Sequence, residues 1–450
     1  MTTVIKHLNI RHIKIENLFG IYTYSIPIND IDISKLLILY GDNGAGKTTI
    51  LQIIFNLLSY ENAQGHKTEL ANTKFKKISI TLSNDYIISA ERKESLIGGY
   101  ELSLTTNETT HVVPCNALKQ NNLYSINTEI SGNEQISDFL SLLKNINLSI
   151  HYLSDDRKVK SNISIVLNEH EDQLSISGFP IDMMNDIRSN RDKIFSLSDI
   201  YLKDAIRRVE EWFRDQTLLG NSIGQESINS IYFNLIEKLL DDSEIQPSSK
   251  QLKITKEEIL ESLKQLSARN EKFLKYKLTA DYNLDKYIQI IKKTSTSKLE
   301  IVDNTLKPYI DGIEKKLNAI EDTKNIIDIF ITTLNDFYSG KKLEFSIDEG
   351  LKIVSTFKKN EYLSPTMLSS GEKQLLLLFC NTITAREHAS IFIIDEPELS
   401  LNVKWQRKLI NALLSFAKNS SIQFILASHS IELLTQYKSN VCKLENVKEL

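Results

Sequence analysis

The segment at residues 41–49 constrains the fold of this 450-residue chain more than any other. It reads GDNGAGKTT and stands between an apolar run at residues 36–40 and a helix-like run at residues 50–55. A strand that turns through glycines into a helix presents backbone N–H groups and the positive end of a helix dipole to an anion. The chain has only 15 glycines, and three of them occur here. A generic glycine-rich turn is therefore the weaker interpretation, and the segment predicts a phosphate-binding loop.

Each residue type in this loop has an expected role. Lys47 would reach the β- and γ-phosphates of a nucleotide, and the Thr48 hydroxyl would hold Mg²⁺. The residues predicted to contact the nucleotide are Asn43, Gly44, Ala45, Gly46, Lys47, Thr48 and Thr49.

Three further segments follow in the last hundred residues. The apolar run IFII ends in Asp395 and Glu396, an arrangement in which the first acid meets Mg²⁺ and the second polarises a water molecule. The alternative is a core strand that ends in a solvated acidic turn. Upstream, LSSGEKQ at residues 368–374 places small residues at the start of a helix, where they can approach an anion. Downstream, an apolar run ends at His429, which taken alone is more often a structural histidine.

Together these segments resemble the ATP-binding-cassette (ABC) ATPases. GDNGAGKTT resembles the Walker A loop of that family, and LSSGEKQ resembles its signature loop. DEPELSLN at residues 395–402 resembles the end of Walker B followed by the D-loop, and His429 resembles the switch histidine. Ser370 and Glu372 stand where glycine and glutamine are commoner, which is typical of the RecF, SMC and OLD-type branch rather than of membrane transporters.

The resemblance implies an α/β fold, namely an ABC-ATPase head with a P-loop sheet, an antiparallel β-subdomain and a helical, coiled-coil-like insertion. It implies ATP and Mg²⁺, with Mg²⁺ held by Thr48 and Asp395. Glu396 would act as the general base, and His429 would sense the γ-phosphate. It also implies a head-to-tail homodimer that sandwiches two ATP molecules, and a higher oligomer is left open. The signature residues assigned to nucleotide binding, with contacts to the γ-phosphate from the partner protomer, are Ser369, Ser370, Gly371 and Glu372.

The Q-loop of the family has no clear match. The segment YLSDDR at residues 152–157 occupies a plausible place for it but contains no glutamine. A solvated charged turn explains Asp155, Asp156 and Arg157 at least as well.

Composition narrows the class of protein. The net charge of −4 gives no global basic surface for nucleic acid or membrane, although a local patch stays possible. Cys115, Cys380 and Cys442 lie far apart, which argues against a disulfide framework or a zinc site. No apolar run approaches the roughly twenty residues that span a bilayer. We expect a cytoplasmic protein with no membrane partner, in which Cys380 is buried in the core.

Alternating residues predict strands around a turn at Phe19-Gly20, namely residues 13–16 and 22–26, and further strands at residues 77–82, 86–88 and 100–104. These strands would form the antiparallel β-subdomain. A hairpin is predicted at residues 342–347 and 351–357.

The long interval between the phosphate loop and the signature predicts a mostly helical insertion. Thr255 and Glu258 form a capping box before an apolar stripe that runs to Phe273. A second stripe covers residues 310–334, so an antiparallel helical pair is expected, as a docking arm or simply as helical core. The predicted domains are residues 1–165 and 341–450 for the two parts of the head and residues 166–340 for the insertion.

The whole-chain plan is similar to stand-alone ATPases of bacterial anti-phage systems, such as AriA of PARIS and PtuA of Septu. Too few residues follow His429 for the TOPRIM nuclease domain of OLD-type proteins. We therefore expect a sensor that responds to a phage-derived trigger and controls a separate nuclease effector. The alternative is a RecF- or SMC-like DNA-repair or chromosome-maintenance ATPase that binds DNA. A transporter cassette is discounted because the insertion is too large and the signature is unlike that group.

Overall fold

The computed structural model describes residues 8–27, 32–61, 65–120, 123–126, 134–154, 159–161, 197–240, 255–295, 299–358, 361–387 and 390–446. The chain forms two compact units. The first comprises Met1–Tyr201 and Thr382–Leu450, and the second comprises Leu202–Asn381.

The described elements follow one another as strands and helices in both units. The strands are β1 (Ile10–Leu18), β2 (Tyr22–Ile26), β3 (Leu36–Tyr40), β4 (Lys77–Leu82), β5 (Ile87–Glu91), β6 (Tyr100–Thr105), β7 (Thr110–Cys115), β8 (Ala117–Gln120), β9 (Leu123–Ile126), β10 (Ile150–Leu153), β11 (Val159–Ser161), β12 (Lys341–Ser346), β13 (Gly350–Ser355), β14 (Ile391–Asp395), β15 (Gln423–Ala427) and β16 (Val441–Lys443). The helices are α1 (Lys47–Leu58), α2 (His66–Asn72), α3 (Glu134–Asn145), α4 (Leu197–Leu240), α5 (Lys256–Leu274), α6 (Leu284–Lys293), α7 (Leu299–Ala319), α8 (Glu321–Phe337), α9 (Ser370–Thr384), α10 (Val403–Phe416) and α11 (Ile431–Gln436).

One sheet of the first unit is antiparallel, with the strand order β2-β1-β4-β5-β6-β7. β4 and β6 alternate buried and half-buried residues along their length, as expected of a sheet with one covered face. The strands predicted from alternation at residues 13–16, 22–26, 77–82, 86–88 and 100–104 are confirmed in this sheet.

The other sheet of the first unit has the order β11-β10-β14-β15-β3-β16 and is parallel except for β11. All residues of β14 and β15 are buried, because helices cover parallel sheets on both faces and leave no solvated side. Residues of both sheets and of α1 share one apolar core. This arrangement is the predicted ABC-type ATPase head, with its P-loop sheet and antiparallel β-subdomain.

The strand order determines which loops meet. β15 pairs with β14 on one side and with β3 on the other, and all three run in the same direction. Loops that follow neighbouring parallel strands emerge at the same edge of a sheet, where ligands bind in open α/β sheets. The phosphate loop, the acidic pair and His429 each follow one of these three strands.

The second unit is mainly helical. The capping box predicted at the start of α5 is present, with Thr255 and Glu258 bonded reciprocally, and α5 packs against α6 and α7. The single helix expected over residues 310–334 is wrong. It is divided into α7 and α8 at Ile320, whose backbone angles of φ −105° and ψ 6° leave the helical region. The predicted hairpin is confirmed as the antiparallel pair β12 and β13.

Candidate functional site

Two glycines shape the phosphate loop between β3 and α1. Gly44 and Gly46 have φ angles of +85° and +87°, a conformation that residues with a Cβ rarely adopt. A Cβ added at Gly46 would lie 3.0 Å from Leu18 Cδ2 and 3.1 Å from Phe19 Cε2. The backbone can therefore pass close to the β1–β2 turn only because residue 46 has no side chain.

Lys47 is the first residue of α1 and is only 7% exposed. Its Nζ donates hydrogen bonds to the carbonyl oxygens of Gly41 at 2.9 Å and of Asp42 at 3.1 Å. Burial lowers the pKa of Lys47, and the charges of Glu396 and Asp395 oppose part of that shift. The ammonium is thus held inside its own loop and faces carboxylates.

Tyr24, on β2, also contacts the loop, and no motif in the sequence predicts this contact. Its hydroxyl donates a hydrogen bond of 2.9 Å to the Ala45 carbonyl oxygen. Burial raises the pKa of Tyr24 to about 12, so the hydroxyl can act as this donor over a wider pH range than an exposed tyrosine could. Alternation predicted that β2 has an inward face, but not what that face touches.

A cavity of about 290 Å³ opens beside the loop, and we call it the phosphate-loop cavity. It brings together residues from the loop itself, the end of β14, the loop after β15 and the β1–β2 turn. Phe19 was predicted only as a turn residue and is an addition to the site. The cavity is lined by Phe19, Asn43, Gly44, Gly46, Lys47, Thr48, Thr49, Glu396 and His429.

The acidic pair occupies two different environments. Asp395 is the last residue of β14 and is fully buried. Glu396 follows with φ +46°, and its N–H donates to the Ala427 carbonyl oxygen of the neighbouring strand at 3.0 Å. Its carboxylate Oε1 lies 3.8 Å from His429 Nε2, with both side chains about one-third exposed. The second acid and the histidine therefore face each other at the cavity.

The segment predicted as the D-loop, residues 398–402, is bonded to the loop that carries His429. Glu398 Oε1 accepts hydrogen bonds from Ser428 Oγ at 2.7 Å, from His429 N at 2.8 Å and from Ser430 N at 3.1 Å. At the other end of the segment, Asn402 Oδ1 accepts from Trp405 N at 3.0 Å and caps α10. Pairing between these two loops was not predicted.

The predicted signature segment begins α9 in the second unit. Ser369 Oγ accepts from Glu372 N at 3.4 Å, and Ser369 N donates to Glu372 Oε2 at 2.7 Å, which is a capping box. Lys341 Nζ lies 2.9 Å from Glu372 Oε2. Burial would raise the pKa of Glu372, but hydrogen bonds from Lys341 and Ser369 lower it. Ser369 and Ser370 are exposed, whereas Gly371 and Glu372 are buried.

The position suggested for the Q-loop falls at the end of β10. Tyr152 and Leu153 are buried strand residues, whereas Asp155, Asp156 and Arg157 lie outside the described residues.

Within the described ranges, no group of three or more His, Cys, Asp or Glu side chains forms a metal site. A magnesium ion needs fewer protein ligands, because it keeps several waters and shares phosphate oxygens with the nucleotide. Thr48 and Asp395 offer the hard oxygen donors that this ion prefers. Cys115, Cys380 and Cys442 are free and buried, so the predicted burial of Cys380 is confirmed. No described helix is long and apolar enough to cross a bilayer.

The two-sheet head and the phosphate-loop cavity define a P-loop protein of the ABC and AAA type. Residues 36–435 match the profile of the family described as "AAA domain, putative AbiEii toxin, Type IV TA system", and the chain belongs to this family.

Among curated proteins, the chain is similar to the "Retron Ec83 probable ATPase" of Escherichia coli, with 22% identity over 98% of this chain and 72% of that protein. Among solved structures, it is similar to the Smc head domain of Pyrococcus furiosus bound to the C-terminal domain of ScpA. That match has 13% identity, covers 98% of this chain and 94% of that one, and has a TM-score of 0.39. An SmcHead bound to the C-winged helix domain of ScpA matches at 11% identity over 95% and 91% of the two chains, with a TM-score of 0.36. The strand order of the two sheets defines the fold.

Proposed function

We propose that the chain binds ATP in the phosphate-loop cavity and hydrolyses it to ADP and phosphate. The observation that carries the proposal is that Lys47, Glu396 and His429 line one cavity although they lie far apart in sequence. A lysine and a carboxylate beside a glycine loop are groups that P-loop enzymes use to bind the phosphates and to orient the attacking water.

The loop would hold the triphosphate. The backbone N–H groups from Asn43 to Thr49 would bind phosphate oxygens at the N-terminus of α1. Lys47 would exchange its bonds to the Gly41 and Asp42 carbonyls for phosphate oxygens. Thr48 and Asp395 would hold Mg²⁺, which when bound supplies charge neutralisation on the phosphates.

Glu396 would act as the general base and take a proton from the attacking water. Its φ of +46° is uncommon for a residue with a side chain, and such conformations cluster at functional sites. His429, whose Nε2 is 3.8 Å from the Glu396 carboxylate, would hydrogen-bond the γ-phosphate and register its presence.

We further propose that two protomers form a head-to-tail homodimer around two ATP molecules. Ser369 and Gly371 of the partner protomer would contact the γ-phosphate, with Ser370 and Glu372 supporting the same contact. The support is that the first turn of α9 exposes Ser369 and Ser370, so a helix N-terminus with two hydroxyls is open to an anion. A larger assembly of such dimers is compatible with this arrangement.

The biological role we propose is regulation of a separate nuclease effector in bacterial anti-phage defence, in the manner of AriA and PtuA, with a phage-derived trigger. The support is the family description, which refers to a toxin–antitoxin system, and the similarity to a retron ATPase. In this proposal, loss of the γ-phosphate on hydrolysis releases the dimer and changes what the partner protein can do.

The test uses Glu396→Gln, which keeps the side-chain volume but removes the base. We expect ATP turnover to fall by about 100-fold or more, while fluorescent ATP still binds and a dimer accumulates in light scattering with ATP and Mg²⁺. The matched control is Glu432→Gln, which changes a half-buried carboxylate of α11 that is paired with Arg407 and should hydrolyse ATP at the wild-type rate. Turnover by Glu396→Gln at the wild-type rate would remove Glu396 from this role.

The partner is tested by affinity purification of Glu396→Gln from native cells in the presence of ATP. A co-purifying protein with a nuclease site would support the defence role. Recovery of DNA with repair proteins alone would contradict it and favour the RecF- or SMC-like alternative.

A further inference from the structure

The loop after β14 and the loop after β15 are joined through one carboxylate oxygen. Glu398 Oε1 receives three donors, Ser428 Oγ, His429 N and Ser430 N, at 2.7, 2.8 and 3.1 Å. Hydrogen bonds to a charged acceptor are about twice as strong as neutral ones. Three of them on consecutive residues fix the backbone on both sides of His429.

A second link strengthens this connection. Ser430 Oγ donates to Gln406 Oε1 at 2.8 Å, and Gln406 Nε2 donates to the Leu401 carbonyl oxygen at 2.9 Å. Ser430 N is also bonded to Ser428 Oγ at 3.0 Å. Residues 398–401 are therefore connected to residues 428–430 at two places.

Among the described residues, none makes a comparably strong contact with the imidazole of His429 near the cavity. Its Nε2 lies 3.8 Å from Glu396 Oε1, which is longer than a hydrogen bond, and its side chain is 37% exposed. Its position over the cavity therefore depends on its backbone, and the backbone is held by Glu398.

We propose that Glu398 is the positioning residue for His429 and that it makes the placement of His429 depend on the conformation of residues 398–401. This inference rests on the proposed ATPase function. If contact with a partner protomer moved that segment, the acceptor of the three hydrogen bonds would move with it. The backbone at residues 428–430, and with it the histidine, would then shift.

The first test measures the backbone directly and needs no hydrolysis. In Glu398→Ala, amide hydrogen exchange at His429 should accelerate by at least about tenfold, because this amide loses its acceptor. Exchange at Ser430 should accelerate less, because its N–H also has Ser428 Oγ as an acceptor. Glu398→Gln keeps a carbonyl oxygen in place of Oε1 and should retain most of the protection. Glu432→Ala, which removes a half-buried carboxylate two positions beyond Ser430, should leave exchange at these amides unchanged. Unchanged exchange in Glu398→Ala would overturn the inference.

The second test is a double-mutant cycle on ATP turnover. Glu398→Ala should lower kcat by about 10- to 100-fold and change the Kd for ATP by no more than about threefold, with partial rescue by Glu398→Gln. Because Glu398 acts through His429, adding Glu398→Ala to His429→Ala should cause no further loss. Multiplying losses would overturn the inference. Absence of ATP turnover in the wild type would instead contradict the proposed function, while the exchange experiment would still decide the role of Glu398 in holding residues 428–430.

Discussion

Two buried lysines contact opposite ends of α1, and they have similar hydrogen bonds but different roles. Lys47, at the N-terminus, is 7% exposed and donates to the carbonyl oxygens of Gly41 and Asp42. Lys67, on α2, is 4% exposed and donates to the carbonyl oxygens of Asn56 and Leu57 in the last turn of α1, both at 2.8 Å. Burial lowers the pKa of each.

Their surroundings differ. Lys47 lines a cavity and faces the carboxylates of Glu396 and Asp395, whose charges oppose part of the pKa decrease that burial causes. Burial lowers the pKa of Lys67 to about 7, and within the described part of the chain it is the Cys115 thiol, not a carboxylate, that opposes this shift. The ammonium at the helix N-terminus can exchange its partners for a ligand, whereas the one at the C-terminus only completes bonds that the helix end leaves unmade. The difference predicts a functional lysine and a structural one.

The largest effect should come from Lys47→Ala. Removing the charge that would bind the β- and γ-phosphates should lower kcat/KM for ATP by about 100- to 1000-fold. The melting temperature should stay within a few degrees of the wild type, because the hydrogen bonds of the lost ammonium to described residues are to carbonyl oxygens of its own loop. Wild-type hydrolysis in this variant would contradict a functional role for Lys47, since both lysines would then be structural. The check is a steady-state ATPase assay beside a thermal melt.

A smaller effect is expected in the pH dependence of stability, and it belongs to Lys67. The unfolded chain keeps the ordinary lysine pKa of about 10.4, whereas the folded pKa is about 7. Between these values the unfolded chain binds more protons, so the free energy of unfolding rises with pH. The rise should be about 2 kcal/mol between pH 7 and pH 9.

Lys67→Met should lose this slope, and denaturant titrations at several pH values would measure it. Burial raises the pKa of Cys115 to about 11 and that of Tyr100 further still, so these groups oppose the rise as the pH approaches 9. Both groups are present in the wild type and in Lys67→Met, and the contribution of Lys67 is therefore the difference between the two slopes. Lys47→Ala is the matched control and should keep the slope. An equal slope in the Lys67→Met variant would show that Lys67 titrates normally.

The contrast between the lysines also shows what the sequence could predict. Lys47 belongs to a local pattern in which glycines and helix start are adjacent, so its role was readable from residues 41–49. Lys67 meets α1 only through the folded chain, and nothing around it in sequence marks the contact. The contacts of Glu398 and Tyr24 were missed for the same reason, since the residues they bond to lie 30 and 21 positions away in the sequence.

The fold also has some features that the sequence predicts and others that it does not. Alternation predicted the antiparallel strands, because one face of that sheet is buried. The apolar stripe over residues 310–334 predicted one helix. Periodicity, however, indicates which face of a helix is buried, and it does not indicate whether the backbone hydrogen bonds of the helix are uninterrupted. The chain turns at Ile320, which remains fully buried, so the stripe passes through the break unchanged. The division into residues 1–165, 166–340 and 341–450 stays a prediction.

The smallest expected effect tests whether the phosphate loop at the N-terminus of α1 needs a hydrogen bond from a residue outside positions 41–49. Tyr24→Phe removes only the hydroxyl that donates to the Ala45 carbonyl oxygen at 2.9 Å. Loss of one buried hydrogen bond costs about 1 kcal/mol, so ATP binding should weaken by about three- to tenfold, with kcat nearly unchanged. Tyr22→Phe is the matched control, since Tyr22 stacks on Tyr24 and its removal of a hydroxyl leaves the loop bond in place. If both variants bind ATP as the wild type does, the glycine loop keeps its shape without the hydrogen bond from β2. The conformation at the N-terminus of α1 would then be determined by residues 41–49 themselves.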